Sequence, residues 1–404
     1  MAEVEIPPYF LCPITLDIMK DPVTVSTGIT YDRDSIENWL FFLKKSTCPA
    51  TKQPLSDTDL TPNITLRRLI QSWCVIHASQ GVERLPTPKA PTSRSQLLKL
   101  LNDAKSPEKQ MNCLQRLKSI SYQNQTNKRC MENVGTPEFL AFLIVQKTLD
   151  PEYSESKQAC EVALSILYSL QLSESGIESI SNQEFVEALT KIMQWGSYES
   201  RAYAVMLLDS ILEVADPAQI VSTTSPLFFL QCTQILKDEI SQKATKATLK
   251  VLINACQWGR NRIKAVEAGA VNLSIELLLD QSDKRVCEMI LVLLDLLCQC
   301  AEGRAELLNH SAGLAIVSKK ILRVSQVASE KAVKILHSIS RFSATAGVVQ
   351  EMLHIGVVAK LCLVLQVDCG IKIKERIREM LKLHSRAWRN SSCIPDNLIC
   401  SYPS

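Results

Sequence analysis

Histidine, glycine and aromatic residues are all scarce in this chain of 404 residues, which holds five histidines, twelve glycines and 5% aromatics. His77, His310, His337, His354 and His384 lie far apart, so they offer no histidine-rich ligand cluster. There is no Gly-rich phosphate loop and no nucleophile elbow, which leaves no sign of phosphoryl-transfer or hydrolase machinery. Long hydrophobic runs are missing too. The most apolar stretch, Val286–Cys300, carries Glu288 and Asp295 and falls short of the ~20 residues that cross a bilayer. A net charge of +3 without any basic–aromatic pattern gives no nucleic-acid signal. The fifteen cysteines are too sparse and too irregular for a disulfide scaffold, so a reducing compartment is expected and the Asn63-Ile64-Thr65 sequon is a chance match. The acidic start, Met1 to Ile6, has neither a basic n-region nor an apolar h-region, and Ala2 stands where N-myristoylation would need glycine.

Proline is plentiful only at one end. Ten of the seventeen prolines lie in residues 1–91, so the rest of the chain reads as long, helical and sparsely punctuated. In the N-terminal part, Cys12-Pro13, Asp21-Pro22, Cys48-Pro49 and Gln53-Pro54 mark loops around one amphipathic helix near Asp32–Phe42. Asp32 or Asp34 can cap it, because a short carboxylate accepts the free N–H groups of a first turn. Ile36, Leu40 and Leu43 form its core face at i, i+4, i+7, with Trp39 at the edge. A second helix follows Thr61-Pro62-Asn63 and runs through Leu66, Leu69, Ile70 and Trp73, and Val23–Val25 with Thr30-Tyr31 reads as a hairpin around Gly28.

So small a module ordinarily needs a staple. Loop–hairpin–helix–loop is the order of a two-zinc cross-brace, which takes roughly eight Cys or His ligands in close pairs. Before the linker the chain offers only Cys12, Cys48, Cys74 and His77, and none makes a C-x-x-C pair, so no metal is expected. Hydrogen bonds and charge pairs among Asp17, Lys20, Asp21, Asp32, Arg33, Asp34 and Lys52 are expected instead, with the cysteines as small apolar filler.

Six blocks in order, Ile6–Ile14, Asp17–Val23, Gly28–Arg33, Cys48-Pro49, Leu60–Asn63 and Leu66–Ile70, resemble the U-box, the metal-free relative of the RING finger. The similarity is greatest to plant U-box proteins with armadillo repeats, in the branch associated with stress and immune signalling. The resemblance implies a ubiquitin ligase that docks a ubiquitin-charged conjugating enzyme in a groove lined by Ile14, Trp39 and Pro49, with Leu16 a weaker member. Filling of the small core is the alternative role for Ile14 and Trp39. A basic residue after the second Cys-Pro commonly positions ubiquitin; here it is Lys52, a point charge without the planar fork of arginine. Cys12, Asp21, Pro22, Tyr31, Asp32 and Cys48 are then structural residues of the module. Such a ligase forms no covalent intermediate, has no catalytic side chain, cofactor or metal, and contributes proximity and orientation.

Beyond the Pro-rich stretch Gly81–Ser93, which reads as an extended linker, the chain repeats itself. Asn127–Gly135 parallels Asn261–Gly269, and both run into apolar helices, Phe139–Val145 and Val271–Leu279. Weaker copies end at Gly313 and Gly356, and stepping back finds Pro226 and Asn182 at matching places. A period near 43 belongs to armadillo or HEAT repeats, whose helices bury their apolar faces only by stacking. The longest helix of each repeat is expected over Ala159–Leu170, Arg201–Leu212, Ala244–Cys256, Arg285–Cys300 and Ser329–Ile339, lining a groove suited to substrate recognition. Trp195 and Trp258 are expected to cover repeat edges. The last helix, Ile371–Trp388, sets a basic face against Ile373, Ile377, Leu381 and Trp388 and reads as a solvated cap, although a basic face also suits an acidic partner or an anionic membrane surface.

The expected fold is mainly α: a small metal-free RING-like α+β U-box over 5–79, a Pro-rich linker over 80–94, an all-α armadillo-type superhelical solenoid over 95–390 and a tail over 391–404. Expected partners are a ubiquitin-conjugating enzyme, ubiquitin and a protein substrate held in the armadillo groove, with homo- or hetero-oligomers open; no nucleic acid and no integral membrane segment are expected. The expected setting is the cytoplasm, with visits to the nucleus or to membranes through partners, and the expected outcome is proteasomal turnover in plant defence, innate immunity or stress response. The alternative is a non-catalytic armadillo adaptor whose U-box serves only in assembly; intact Ile14, Trp39 and Pro49 favour the ligase.

Overall fold

The computed structural model describes residues 5–43, 45–57, 59–83, 92–149, 154–215 and 225–389. The N-terminal residues 1–4, most of the expected linker (84–91) and the expected tail lie outside the described residues. Contacts divide the chain into two compact units, Met1–Gly135 and Thr136–Ser404.

In the first unit, β1 (Pro22–Thr24) pairs antiparallel with β2 (Thr30–Asp32), Val23 opposite Tyr31, and Gly28 takes a left-handed φ of 81° in the turn. A short β3 (Thr61–Pro62) adds to the other edge of β1, giving the order β2-β1-β3. Two residues carry no periodicity and proline has no donor, so no pattern in the chain foretells this strand.

The expected single helix over Asp32–Phe42 is divided: α1 (Arg33–Glu37) passes into a π-helical turn, Asn38–Phe42. Leu43 N–H bonds Asn38 O, five residues back, at 3.0 Å. The wider turn rotates Leu43 out of the i+7 row, so it is 49% exposed rather than core, while Ile36 and Leu40 are buried as expected. Asp32 is the N-cap by position but makes no cap bond. Its Oδ1 instead accepts the N–H groups of Lys20 and Asp21, both at 2.8 Å, because the first loop brings two backbone donors to it.

α2 (Ile64–Ile76) starts where Asn63 Oδ1 accepts the Leu66 N–H, and it buries Ile70 and Cys74 against Cys12, Met19, Val23, Tyr31, Ile36 and Cys48. Leu69 faces solvent. Three further helices complete the unit, α3 (Arg94–Asp103), α4 (Pro107–Ser121) and α5 (Gln125–Asn133), and a Ser93–Gln96 capping box starts the first.

The second unit opens with α6 (Thr136–Leu149) and α7 (Ser154–Leu170), followed by α8 (Glu174–Ile180), α9 (Gln183–Trp195) and α10 (Tyr198–Val214). Next come α11 (Pro226–Lys237) and α12 (Gln242–Ala255), then α13 (Gly259–Glu267), α14 (Ala270–Asp280) and α15 (Lys284–Leu297). Two more repeats follow: α16 (Ala301–Asn309), α17 (Gly313–Lys320) and α18 (Gln326–Phe342), then α19 (Ala346–His354), α20 (Val357–Gln366) and α21 (Ile371–Leu383), closed by α22 (Ser385–Trp388). Each expected long helix falls on α7, α10, α12, α15 or α18, with ends shifted by about a turn. These five and α21 pack successively, each on the next.

The repeat glycines do two different jobs. Gly269 and Gly356 take φ of 83° and 76° between the first and second helices of their repeats, a conformation L side chains avoid. Gly313 is not left-handed; a Cβ there would lie 2.0 Å from Leu307 O, so close backbone approach sets it. The expected last helix breaks at His384, after which Trp388 turns fully into the core and its Nε1 donates to Val349 O at 2.9 Å.

Candidate functional site

The first unit contains two loops of matching build, Cys12–Asp17 and Cys48–Gln53. In each, the fifth residue donates its N–H to the cysteine O, Leu16 to Cys12 at 2.8 Å and Lys52 to Cys48 at 2.9 Å. Each cysteine N–H in turn donates to the sixth residue's O, Asp17 or Gln53, at 2.8 Å. Both fifth residues are left-handed, with φ of 63° at Leu16 and 61° at Lys52. The Cys-Pro-x-Thr sequence that both loops share, Cys12–Thr15 and Cys48–Thr51, is the signal for this pairing, which the block resemblance alone does not reveal.

The cysteines are more than filler, which corrects the expectation for them. Cys12 Sγ accepts the Asp32 N–H at 3.3 Å, tying the first loop to the start of α1. Burial alone would raise its thiol, but this bond and those from the Thr15 and Ile14 N–H groups bring it below its ordinary value. Cys48 Sγ lies 3.0 Å from Tyr31 Oη and 3.3 Å from the Thr27 hydroxyl. Burial again pushes upward, yet the bonds from Thr27, Thr51 and Tyr31 prevail and bring the Cys48 thiol down to about 6. Tyr31 Oη also accepts the Ala50 N–H at 3.0 Å, and burial with the Cys48 contact pushes its own ionisation up.

The charged network is smaller than expected. Arg33 Nε meets Asp21 Oδ2 at 2.6 Å and Arg67 approaches Asp21 Oδ1 at 3.5 Å, while Pro22 is buried in β1. Lys20 enters only through its backbone, and Asp17 and Lys52 are exposed outside it. Arg33 also approaches Glu37 at 3.6 Å. Glu37 accepts a hydroxyl bond from Thr126 of α5, and burial raises its carboxyl.

Around these loops the expected contact residues fall into two groups. Trp39 is half-buried; its Nε1 donates to Thr47 O at 2.7 Å, one residue before Cys48, and Lys52 Nζ stands 5.5 Å from its ring centre. The turn after α1 and the second loop, with half-buried Pro49, are thus brought together. Ile14 and Leu16 sit on the first loop, Ile14 half-buried and Leu16 71% exposed.

In the second unit, ion pairs join neighbouring long helices. Lys250 of α12 reaches Asp209 and Glu213 of α10 at 3.2 and 2.7 Å, and Lys246 reaches Asp283, the N-cap of α15, at 2.9 Å. Lys331 of α18 meets Asp295 of α15 at 2.9 Å, and Glu379 of α21 meets His337 and Arg341 of α18 at 2.9 and 2.7 Å. Burial pushes the Asp209 carboxyl up to about 6 in spite of Lys250. A recess of about 500 Å³ opens along this row, with Leu212, Ile253, Met289, Val292 and Val327 among its walls. Among the described residues no group of His, Cys, Asp and Glu could hold a metal ion, and no single helix is long and apolar enough to cross a membrane.

A hairpin and helix braced by two cysteine loops, followed by stacked helical repeats, define the class: a RING-like module braced by hydrogen bonds, joined to an armadillo-type solenoid. Residues 6–79 match the U-box domain family, and residues 95–404 match the plant U-box protein ARM repeat region. The chain is 58% identical to E3 ubiquitin-protein ligase PUB23 of Arabidopsis thaliana over 99% of this chain and 98% of the relative. It is 53% identical to E3 ubiquitin-protein ligase PUB22 of the same plant, over 100% and 99%. A solved structure concerning a phosphorylation switch in the interaction between cadherin and beta-catenin shares the solenoid fold, with a TM-score of 0.59 at 14% identity over 81% of this chain and 58% of that one. The chain belongs to the plant U-box E3 ubiquitin-protein ligases with armadillo repeats.

Proposed function

We propose that the two cysteine loops and the turn after α1 dock a ubiquitin-charged conjugating enzyme, and that the row of long helices in the second unit holds the protein to be modified. The matched loops carry this reading: Leu16 is spread into solvent, and Ile14, Trp39 and Pro49 stay half-open at the rim of a core that other residues fill. A few apolar anchors desolvated on contact are what a small docking face needs. Lys52, over the Trp39 ring, supplies a cation for the conjugating enzyme or ubiquitin. The substrate lysine amine attacks the thioester carbonyl, the conjugating enzyme's thiol leaves and an isopeptide bond forms. This chain's part is to hold those groups together. The scattered cysteines suit the cytoplasm, and resemblance to the stress- and immunity-associated branch supports proteasomal turnover in those responses.

The test is autoubiquitination of the full chain with activating enzyme, a panel of conjugating enzymes, ubiquitin and ATP. Wild type is expected to form ladders, while Ile14→Ala and Leu16→Gly lose them with circular dichroism and melting retained. Silence of the folded wild type across the whole panel would instead favour an armadillo adaptor.

A further inference from the structure

The long helices of the second unit do not share charge evenly. At one end, α7 and α10 carry Glu155, Glu161, Glu199, Asp209 and Glu213 against Lys157 and Arg201; Arg201 is committed to Asp238, and Asp209 and Glu213 are met by Lys250 of α12. At the other end, α21 carries Lys372, Lys374, Arg376, Arg378 and Lys382 against Glu375 and Glu379. Between them, α12 carries Lys243, Lys246 and Lys250, the last two paired with carboxylates of the α15 N-cap and α10, α15 balances Lys284 and Arg285 with Glu288 and Asp295, and α18 adds Lys331, Lys334 and Arg341 against Glu330.

The ion pairs leave the basic excess of α18 and α21 in place. Glu379 is held by both His337 and Arg341, and Asp295 is held by Lys331. Lys334 and Lys372 make no ion pair among the described residues, and Lys372 is exposed. Helical spacing places Lys372, Arg376 and Glu379 on one stripe of α21, and the contacts of Glu379 turn that stripe toward α18. On α18 the same rule sets Lys334 in a row with Val327, Lys331, His337 and Arg341. Val327 is 49% exposed and shares the recess with Val292 and Met289. An apolar seat therefore adjoins rows of cations that outnumber the carboxylates among them: Asp295 and Glu379 are paired, while Glu330 and Glu375 stand in the same rows without an ion pair among the described residues.

We propose that the α15–α21 part of this surface binds an acidic, extended polypeptide segment of the protein to be modified. An apolar side chain of that segment rests on Val327, and its carboxylates lie along Lys334, Arg376 and Lys372. The assignment rests on the reading that this row of helices is the substrate site. A strand-like chain threads a recess between helices, whereas a planar anionic bilayer cannot enter one, which favours a polypeptide over a membrane surface.

The probe is a set of short fluorescein-labelled peptides of alternating Glu and Leu, Ser and Leu, or Lys and Leu, titrated into the full chain and followed by anisotropy. The Glu/Leu peptide is expected to bind about tenfold tighter than the Ser/Leu peptide at low salt, and the advantage shrinks as NaCl rises. Lys334→Glu combined with Lys372→Glu should remove most of that advantage without moving the melting curve. Val327→Asp should weaken both peptides. If Glu/Leu and Ser/Leu bind equally and Val327→Asp weakens both, the substrate site stands and the acidic preference falls. Tighter binding of Lys/Leu overturns the assignment of charge. Binding indifferent to all three substitutions places the peptide elsewhere and overturns the site, and no binding by the folded chain overturns both readings.

Discussion

Cys48 and Leu16 show how single residues serve this module in opposite ways. The Cys48 thiol ionises near 9.0 ordinarily and at about 6 in the fold. Between those values the folded state holds fewer protons than the unfolded state, so stability rises as pH climbs from 6 toward 9 and is lost as pH falls through 6. Thermal melting of the U-box transition should follow that direction, and Cys48→Ser, whose hydroxyl does not ionise, should flatten it. An unchanged pH slope in the variant would show that hydrogen bonds to the sulfur do not favour the thiolate. Leu16 instead costs stability: a non-glycine residue at a φ of 63° is strained by roughly 1–2 kcal/mol. The activity loss of Leu16→Gly should therefore come with equal or greater stability, because glycine relieves that strain. A fall in stability would mean that the Leu16 side chain packs in the fold and would remove it from the docking face.

At the scale of elements, legibility followed periodicity. The long helices could be read because Ala, Leu, Ile and Val recur at helical spacing and stacking buries them along a continuous core, as at Ile290, Leu293, Leu294 and Leu297. The hairpin around Gly28 was legible from turn chemistry. The π turn at Asn38–Phe42 was not, since one extra residue per turn leaves no mark in composition, and the exposure of Leu43 follows from it. In the candidate site, the residue types were readable from their blocks, whereas the hydrogen bonds to Cys12 and Cys48 come from backbone geometry and distant hydroxyls. Gly313 ends a weaker copy of the repeat at the place where Gly269 and Gly356 are left-handed, and it is a close contact instead. Gly313→Ala should lower stability by about 2–4 kcal/mol, because the obstacle is the Leu307 carbonyl, which cannot move without its helix. Denaturant unfolding of the full chain would read this; a cost within about 0.5 kcal/mol would show that the α16–α17 junction yields easily.

At the scale of the whole molecule, a stacked-repeat chain stabilises each repeat mainly through its neighbours, so a defect at one end should stay local. Among the described residues the last repeat packs on a preceding repeat, and the short helix after His384 closes on it by folding Trp388 back under α19. Trp388 is 0% exposed, and truncating so large a buried side chain costs about 3–5 kcal/mol in the element that holds it. Trp388→Ala also leaves the Val349 carbonyl without its indole donor. Amide hydrogen exchange should then speed up in α19–α22, change less in α16–α18, and stay near wild type in α7–α12 and in the U-box. Autoubiquitination that needs only the docking face should persist, while binding of acidic peptides along α18 and α21 should weaken because α21 loses its backing. Uniformly faster exchange across the second unit would mean that the solenoid opens as one cooperative body. In that case Trp388 would stabilise the whole unit, and loss of peptide binding in the variant could no longer be assigned to α21 alone.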